Sequence, residues 1–287
     1  MFEYLRACQV VAGTATGIRI NLLRFKFKVI NSIKSYPSAL TLEIYNLNRS
    51  EQTRFEKEFT RIFVFAGYVY SPTAQPKMIF SGNIKNVVFR KDSTEVITTI
   101  YAGDYEEQYK NTVFSRTFQG KTPIRSVISS VASSFPGVVI GRLDGLDSSS
   151  SAIRGFTESG KTSTILDKYA KSNGFEWWLR NGVFNTTAKK TATSETVIVV
   201  KSETGLLDAP EVTESGVNVK TLLNADYFPR RRVKIDTSQS RINIQEATIV
   251  RIPRTKGNGV FRIEQVTHTG DTRGDQWNSL VECSFFN

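Results

Sequence analysis

The chain has 287 residues, a hydrophobic content of 39% and a formal net charge of +11. A chain of this length is large enough for two or three small domains and for a core that needs no disulfide or metal support. Two cysteines and one histidine leave few candidates for a classical zinc site or for a Ser-His or Cys-His catalytic pair.

The two cysteines, Cys8 and Cys283, lie near opposite ends of the chain, and this favours free thiols in a reducing compartment over a disulfide. Residues 1–6 include Glu3 and do not read as a signal peptide. No run approaches the ~18 apolar residues of a membrane span. We therefore expect the protein in the cytoplasm unless a larger assembly carries it elsewhere.

Residues 1–115 alternate between apolar and polar side chains. Phe25, Phe27 and Val29 alternate with lysines, and residues 40–44 follow the same period of two. This period predicts strands with one buried face. The polar run at residues 91–94 predicts a hairpin turn between two such strands.

One short helix is predicted within this β-rich part. Ser50 is expected to be its N-cap, and Glu51 suits the positive end of a helix. Phe55 and Phe59 then share one helix face at a spacing of four residues.

The period changes in residues 116–192. An i, i+3, i+4, i+7 stripe begins at Ile124, with Thr122 as the expected cap and Pro123 at the first helical position. A second helix is predicted over residues 163–172, ended by Asn173-Gly174. A hairpin with its turn at residues 180–182 follows. This segment is predicted to be a small α/β domain.

Residues 193–287 return to strand patterns, predicted at residues 197–200, 232–235, 242–244, 259–263 and 280–285. His268 is expected in a turn beside Gly270-Asp271. The sequence therefore predicts a mainly β fold with an α+β insertion, divided into domains at residues 1–115, 116–192 and 193–287.

Residues 155–162 match the phosphate-loop pattern G-x-x-x-x-G-K-[ST] at every fixed position. Lys161 would reach the outer phosphates of a nucleotide, and Gly160 and Thr162 complete the candidate cofactor-binding set. However, no apolar strand leads directly into the loop, and the downstream chain is β-rich rather than alternating β and α. The alternative is that Thr162 or Ser163 caps a helix. A nucleotide-binding enzyme remains the second hypothesis, and no catalytic residue, cofactor or metal is predicted.

The positive charge suggests a third hypothesis, a single-stranded nucleic-acid-binding β-barrel protein. Its contacts would come from Trp177 or Trp178 and from the cluster Arg230-Arg231-Arg232, since aromatic rings stack on bases and guanidinium groups bind phosphates. Strand alternation is expected to send one tryptophan inward and the other outward.

A series of short motifs along the chain resembles the phage tail hub, or baseplate hub, proteins, which are related to late control gene D proteins and type VI secretion spike hub domains. The motifs are Leu42–Leu47, Ile79–Ile84, Ala102–Asp104, Gly120–Pro123, Ile165–Asp167, Gly174–Trp177, Ser202–Pro210, Thr213–Val219, Leu222–Asn224, Val266–Asp271 and Trp277. The likeness covers most of the chain in order. Asn224-Ala225 and Pro229-Arg230 depart from the family's usual proline-containing pattern near that turn.

The resemblance implies a structural protein without a catalytic site. It implies two tube-type β-barrel domains flanking the small α/β domain, and a homotrimeric ring that joins a sixfold tail tube to a threefold spike or tip. The implied partners are the tail tube or distal tail protein, the tail spike or tip protein, baseplate wedge proteins and the tape-measure protein, with DNA as a transient passenger in the lumen. The implied location is the tail baseplate of the virion, reached from the host cytoplasm during assembly.

Overall fold

The computed structural model of the chain describes residues 5–13, 17–33, 38–69, 75–104, 106–147, 151, 153–236, 243–244 and 258–285. Two compact units are present. The main unit comprises Met1–Asp104 and Ser194–Asn287, and the inserted unit comprises Tyr105–Thr193. The three domains expected from the sequence stay a prediction, because a grouping by contacts does not test which segments fold as separate domains.

The described elements follow in chain order. The first part of the main unit contains β1 (Leu5–Ala12), β2 (Ile18–Ile20), β3 (Phe25–Ser32), β4 (Ala39–Tyr45), α1 (Arg49–Lys57), β5 (Arg61–Val69), β6 (Lys77–Asp92) and β7 (Glu95–Gly103). The inserted unit contains α2 (Glu106–Asn111), β8 (Val113–Phe118), α3 (Ile124–Ala132), β9 (Val139–Leu143), β10 (Phe156–Lys161), α4 (Thr162–Asn173), β11 (Phe175–Arg180) and β12 (Val183–Ala188). The second part of the main unit contains β13 (Ile198–Val200), a 3₁₀ turn (Ser202–Thr204), β14 (Glu211–Val212), β15 (Gly216–Leu222), β16 (Arg232–Ile235), β17 (Asn243–Ile244), β18 (Gly259–Asp271) and β19 (Trp277–Phe285).

The predicted alternation in the first strands is confirmed. Phe25, Phe27 and Val29 on β3 are buried, whereas Lys26 and Lys28 between them are exposed. The hairpin expected at residues 91–94 joins β6 to β7 in antiparallel register. Period two therefore located both the strands and their buried face in this part of the chain.

The expected N-cap of α1 is wrong by two residues. Asn48 rather than Ser50 caps the helix, and its side-chain oxygen accepts a hydrogen bond from the Glu51 amide at 2.8 Å. Both residue types are good N-caps, but Asn48 lies three residues before Glu51, where a cap reaches a free amide of the first turn. The paired rings are confirmed, since Phe55 and Phe59 meet edge to face at 5.2 Å.

The main unit is built on one continuous 14-stranded sheet. Its principal path runs β17-β14-β15-β19-β18-β3-β4-β7-β6-β5-β1-β2, and β16 joins β13 to β18. Along this path the described strands do not close into a barrel. The two parts of the sequence meet where β3 pairs with β18 over seven residue pairs, from Ser32 opposite Gln265 to Lys26 opposite Asp271.

Two apolar clusters lie beneath this sheet. The larger one contains mainly residues of β1 to β7 and also takes in Leu223 and Trp277 from the second part of the main unit. The other is centred on Val217, Val219 and Val281. The larger cluster therefore contains residues from both parts of the chain, which share one core here.

The inserted unit contains a two-stranded sheet of β8 and β10 and a three-stranded sheet in the order β11-β12-β9. The predicted apolar stripe is confirmed, with Val127, Ile128 and Val131 of α3 fully buried. The expected cap at Thr122 is wrong, because Pro123 is the N-cap and Ile124 the first helical residue. The turn between β11 and β12 places Asn181 and Gly182 at φ of 51° and 80°, as a tight hairpin requires.

Candidate functional site

The phosphate-loop pattern lies on an extended strand. Residues 156–161 form β10 and pair antiparallel with β8, with Gly160 opposite Phe114 and Lys161 opposite Val113. A phosphate cradle needs a curled loop whose successive amides point at one anion, whereas amides along a paired strand point alternately to either side. The backbone here differs from the loop that the nucleotide-binding hypothesis requires.

The three candidate residues of that pattern are not arranged around a common space. Gly160 is at φ +144°, Lys161 is exposed, and Thr162 is fully buried with its hydroxyl 2.8 Å from that of Ser134. The expected capping role of Thr162 or Ser163 is wrong, because Lys161 occupies the N-cap position of α4 and makes no side-chain cap. The Thr162 hydroxyl instead ties the start of α4 to the chain just after α3.

Trp177 lies inside an aromatic stack of the inserted unit. Its ring is stacked against Tyr109, Phe135 and Phe184 at centroid distances of 5.6, 6.1 and 5.8 Å. Its indole Nε1 donates a hydrogen bond to Asp167 Oδ1 at 2.9 Å. Burial raises the pKa of Tyr109, and the Asp167 carboxylate adds to this effect. Trp177 is thus partly buried and packs against the core of the inserted unit, so its ring faces are taken by other aromatic rings. An outward contact by Trp178 stays a prediction.

The arginine cluster makes contacts within the main unit. Arg230 is buried at φ 72°. Arg231 donates from Nη1 to the Asp226 carbonyl at 2.9 Å and from Nη2 to the Thr196 carbonyl at 3.2 Å. Arg232 donates to the Glu195 carbonyl at 3.3 Å. The guanidinium groups of Arg231 and Arg232 therefore bind backbone carbonyl groups, and all three arginines belong to a different unit from Trp177.

His268 is a core residue of β18, so the expected turn position is wrong. It lies opposite Ser279 of β19, its Nδ1 is 2.8 Å from the Ser279 hydroxyl oxygen, and both side chains are buried. The same hydroxyl accepts the Asn224 amide at 3.2 Å. The polar residues Thr267 and Thr269 alternate with the buried residues Val266 and His268, and this period of two is the sequence signal that identifies the strand.

The described residues contain no group of three or more His, Cys, Asp or Glu side chains that could hold a metal ion. In the same part of the chain, no helix has the length and apolar character that a membrane crossing requires.

One face of the sheet presents mainly polar side chains across seven neighbouring strands, and we call it the open face. The strand registers align one row of residues on it, from β15 to β6: Leu222, Asn278, Thr269, Lys28, Thr41, Tyr101 and Asn86. Each of these side chains is partly or fully exposed, while residues on the opposite face form the core. Such a wide polar surface suits a wall along an aqueous space.

The distal half of β6 is an exposed strand edge. β6 pairs with β5 only up to Asn83, and among the described strands none pairs the outer side of residues 86–92. This edge carries Val88 and Phe89, which are 44% and 39% exposed. Soluble proteins usually cover or blunt so long an edge, because an open edge can pair with another chain.

The sequence profile of the baseplate hub gp41 family matches residues 40–243, which is more than half of the chain. The chain belongs to the baseplate hub gp41 family. The resemblance found in the short motifs is thereby confirmed, including its coverage of the middle of the chain. No curated protein matches this family member in sequence.

Solved structures share the fold of this baseplate hub protein at very low sequence identity. A tail protein from Neisseria meningitidis MC58 superimposes with a TM-score of 0.62 at 10% identity, covering 98% of this chain and 97% of that one. The 43 kDa tail protein of prophage MuSo2 from Shewanella oneidensis gives 0.60 at 8% identity, covering 97% and 96%. The E. coli c3393 protein, a type VI secretion component described as similar to T4 tail proteins gp27 and gp5, gives 0.59 at 9%, covering 92% and 74%.

Proposed function

We propose that this protein is a structural baseplate hub of a bacteriophage or prophage-like tail, acting as a trimeric ring that joins a sixfold tail tube to a threefold spike or tip. The family match over residues 40–243 carries the proposal. The chain acts by assembly, without catalysis and without a cofactor.

The ring architecture rests on two tube-type β-barrel domains per chain. The strands of residues 1–115 and of residues 193–287 each supply one of them, and the small α/β domain of residues 116–192 lies between them in sequence. Six such domains in a trimer match a sixfold tube, while three chains match a threefold spike. The continuous sheet through β3 and β18 supports this proposal, because it fixes the two β parts of one chain rigidly to each other.

Ring closure requires a head-to-tail contact between unlike surfaces of neighbouring chains. The outer edge of residues 86–92 on β6 supplies one of these surfaces. Its outward-facing backbone groups accept a strand from the next chain, and burial of Val88 and Phe89 adds apolar contact. A closed ring removes this edge from solvent.

The open face lines the lumen in this proposal. It is continuous over seven strands and carries Lys28, Thr41 and Tyr101 in its aligned row. Polar side chains keep such a wall wetted, so the tape-measure protein and then DNA pass without a fixed binding site. The remaining partners are the tail tube or distal tail protein, the tail spike or tip protein and baseplate wedge proteins. The location is the virion baseplate, after assembly in the host cytoplasm.

The mass of the purified protein by light scattering tests this function. We expect about three times the 32.2 kDa of one chain, unchanged by ATP and magnesium. Mass or stability that depends on nucleotide would support the enzyme hypothesis instead. A chain that stays monomeric even with the spike and tube proteins present contradicts the ring.

A matched pair of variants tests the contact itself. Val88→Lys places a charge on the exposed β6 edge, a substitution that blocks strand pairing between chains. We expect it to reduce the mass to that of a monomer while the circular dichroism spectrum is retained. Ile153→Lys, at a residue that is 91% exposed in the inserted unit, is the control and should remain trimeric.

A further inference from the structure

The inserted unit has a surface cavity of about 470 Å³ that is open to solvent. It is lined by the polar face of α3, by Arg116 of β8 and by Leu143 at the end of β9, which is its one apolar lining residue. This volume is within the range of sites that hold small ligands. Charge and hydrogen-bonding capacity of the lining side chains decide which ligand class fits.

The amphipathic pattern of α3 explains the polar wall. The apolar residues of the helix face the core, so the intervening positions face the cavity. Those positions hold Arg125, Ser126, Ser129 and Ser130, and Ser133 follows directly after the helix. One helix face thus presents a guanidinium group and a series of hydroxyl groups to the same space.

Arg116 approaches the same space from β8, held in place by two contacts. Its Nη1 donates to the Ser130 hydroxyl oxygen at 2.9 Å, and its guanidinium carbon is 5.8 Å from the centre of the Phe118 ring. Because Ser130 accepts this bond, its own hydroxyl hydrogen stays available for another acceptor. The Ser133 hydroxyl, in contrast, donates to the Ser129 carbonyl at 2.8 Å.

The lining is positive and rich in donors. Arg116 and Arg125 supply two guanidinium groups, and none of the cavity-lining residues is acidic. Guanidinium groups bind phosphate, sulfate and carboxylate through forked, charge-assisted hydrogen bonds, and serine hydroxyl groups bind the remaining oxygens. The cavity is larger than a bare phosphate ion needs, which leaves room for a polar group attached to it.

We infer that this cavity is an oxyanion-binding site, formed by Arg116, Arg125 and the hydroxyl groups of Ser126 and Ser130, for a phosphate or sulfate group carried on a small polar ligand such as a sugar. The inference is independent of ring formation, since every contributing residue lies in the inserted unit of one chain.

Calorimetric titration of the full-length protein with glucose 6-phosphate, inorganic phosphate and glucose tests the site. We expect saturable binding of the sugar phosphate, weaker binding of inorganic phosphate and none of glucose. Equal binding of the two phosphates would mean that only the anion is recognised, and would overturn the sugar-sized part of the inference. Absence of saturable binding by either phosphate at millimolar concentration would overturn all of it.

Three variants locate the binding. Arg116→Gln and Arg125→Gln should each weaken binding of the sugar phosphate by about tenfold or more, because each removes one guanidinium group. Arg154→Gln, in the same unit but outside the cavity, should bind like the unmodified protein. Thermal melts check that each variant is folded. Equal affinities in all three folded variants would place binding elsewhere, and the inference would then fail.

Discussion

Arg24 and Asp271 form a two-pronged ion pair at the point where the two parts of the main unit join. Arg24 Nε donates to Asp271 Oδ1 at 3.1 Å, and Arg24 Nη2 donates to Oδ2 at 2.7 Å. Asp271 Oδ1 also accepts the Arg273 amide at 3.0 Å. The guanidinium carbon of Arg24 lies 4.5 Å from the centre of the Tyr45 ring. Residues that are 247 positions apart in sequence are thus fixed to each other beside the β3–β18 pairing.

Asp271→Asn should destabilise the protein by about 2 kcal/mol. Hydrogen bonds to a charged partner contribute roughly 1.5–3 kcal/mol each, and the side-chain amide of the asparagine can still accept one of the bonds that the carboxylate accepts. Urea unfolding followed by circular dichroism measures the change as a lower midpoint. Asp208→Asn is the control, because the Asp208–Lys220 pair is exposed, with side chains 61% and 45% accessible. Such pairs contribute about 0–1 kcal/mol. Equal losses in the two variants would contradict a special role for Asp271.

The same pair predicts a pH dependence. The hydrogen bond from Arg24 is the main cause that holds the pKa of Asp271 below its usual value of 3.8. A carboxyl group whose pKa is lower in the folded state stabilises the fold above its unfolded pKa, and this contribution is lost as pH falls through the folded value. We therefore expect the stability gap between the unmodified protein and Asp271→Asn to be constant at neutral pH and to shrink below about pH 4. A gap that is the same at pH 3 and pH 7 would show that the ion pair is not its source.

Gly270→Ala should destabilise the protein by about 1–3 kcal/mol through overpacking. A β-carbon at Gly270 would lie 2.4 Å from Phe27 Cζ and 2.8 Å from Trp277 Cε3. Those two rings already meet edge to face at 5.4 Å and cannot both move aside. Gly67→Ala, where the nearest atom would be 3.9 Å away, is the control and should be nearly neutral. Thermal unfolding of both variants measures the difference.

Much of this fold was predictable because its strands and helices follow local rules. The alternation at Phe25, Phe27 and Val29, and the stripe that includes Val127 and Val131, report burial directly, since each period fixes which side chains share a face. The hairpin at Asn181-Gly182 depends on a turn that few other residues adopt. In these segments the local pattern and the tertiary structure agree.

The features that escaped prediction depend on contacts between distant residues. The pairing of β3 with β18 joins residues about 240 positions apart, and no local period reports such a partner. The observed roles of Thr162 and Arg231 differ from the predicted ones for the same reason. The Thr162 hydroxyl group contacts Ser134, which follows a different helix, and Arg231 donates hydrogen bonds to carbonyl groups that are distant from it in sequence or lie in a neighbouring loop. A motif match gives residue types and spacing, while the backbone conformation that makes a phosphate cradle is set by the surrounding strands.

The two thiols should be unreactive in the folded protein. Cys8 and Cys283 are free and buried, and burial raises the pKa of Cys8 to about 12 and also raises that of Cys283. The thiolate is the nucleophile, so little of it exists at neutral pH. We expect a disulfide reagent such as Ellman's reagent to label two thiols at once in denaturant and to label native protein only on the timescale of unfolding. Rapid labelling of one thiol under native conditions would indicate that its strand opens locally.

Lys161→Ala and Thr162→Val should separate the structural role of this motif from nucleotide binding. Lys161 is exposed at the end of β10, so its removal should leave stability within about 0.5 kcal/mol of the original. Thr162→Val removes the buried Thr162 hydroxyl group that meets Ser134, and should cost about 0.5–1.5 kcal/mol, the net contribution of one hydrogen bond, because Ser134 keeps its own bond to the Val131 carbonyl at 2.7 Å. If residues 155–162 formed a phosphate loop, the protein would bind ATP with magnesium, and Lys161→Ala would abolish that binding. Thermal melts with and without ATP and magnesium therefore decide between the two roles, and we expect no shift with nucleotide in the unmodified protein or in either variant.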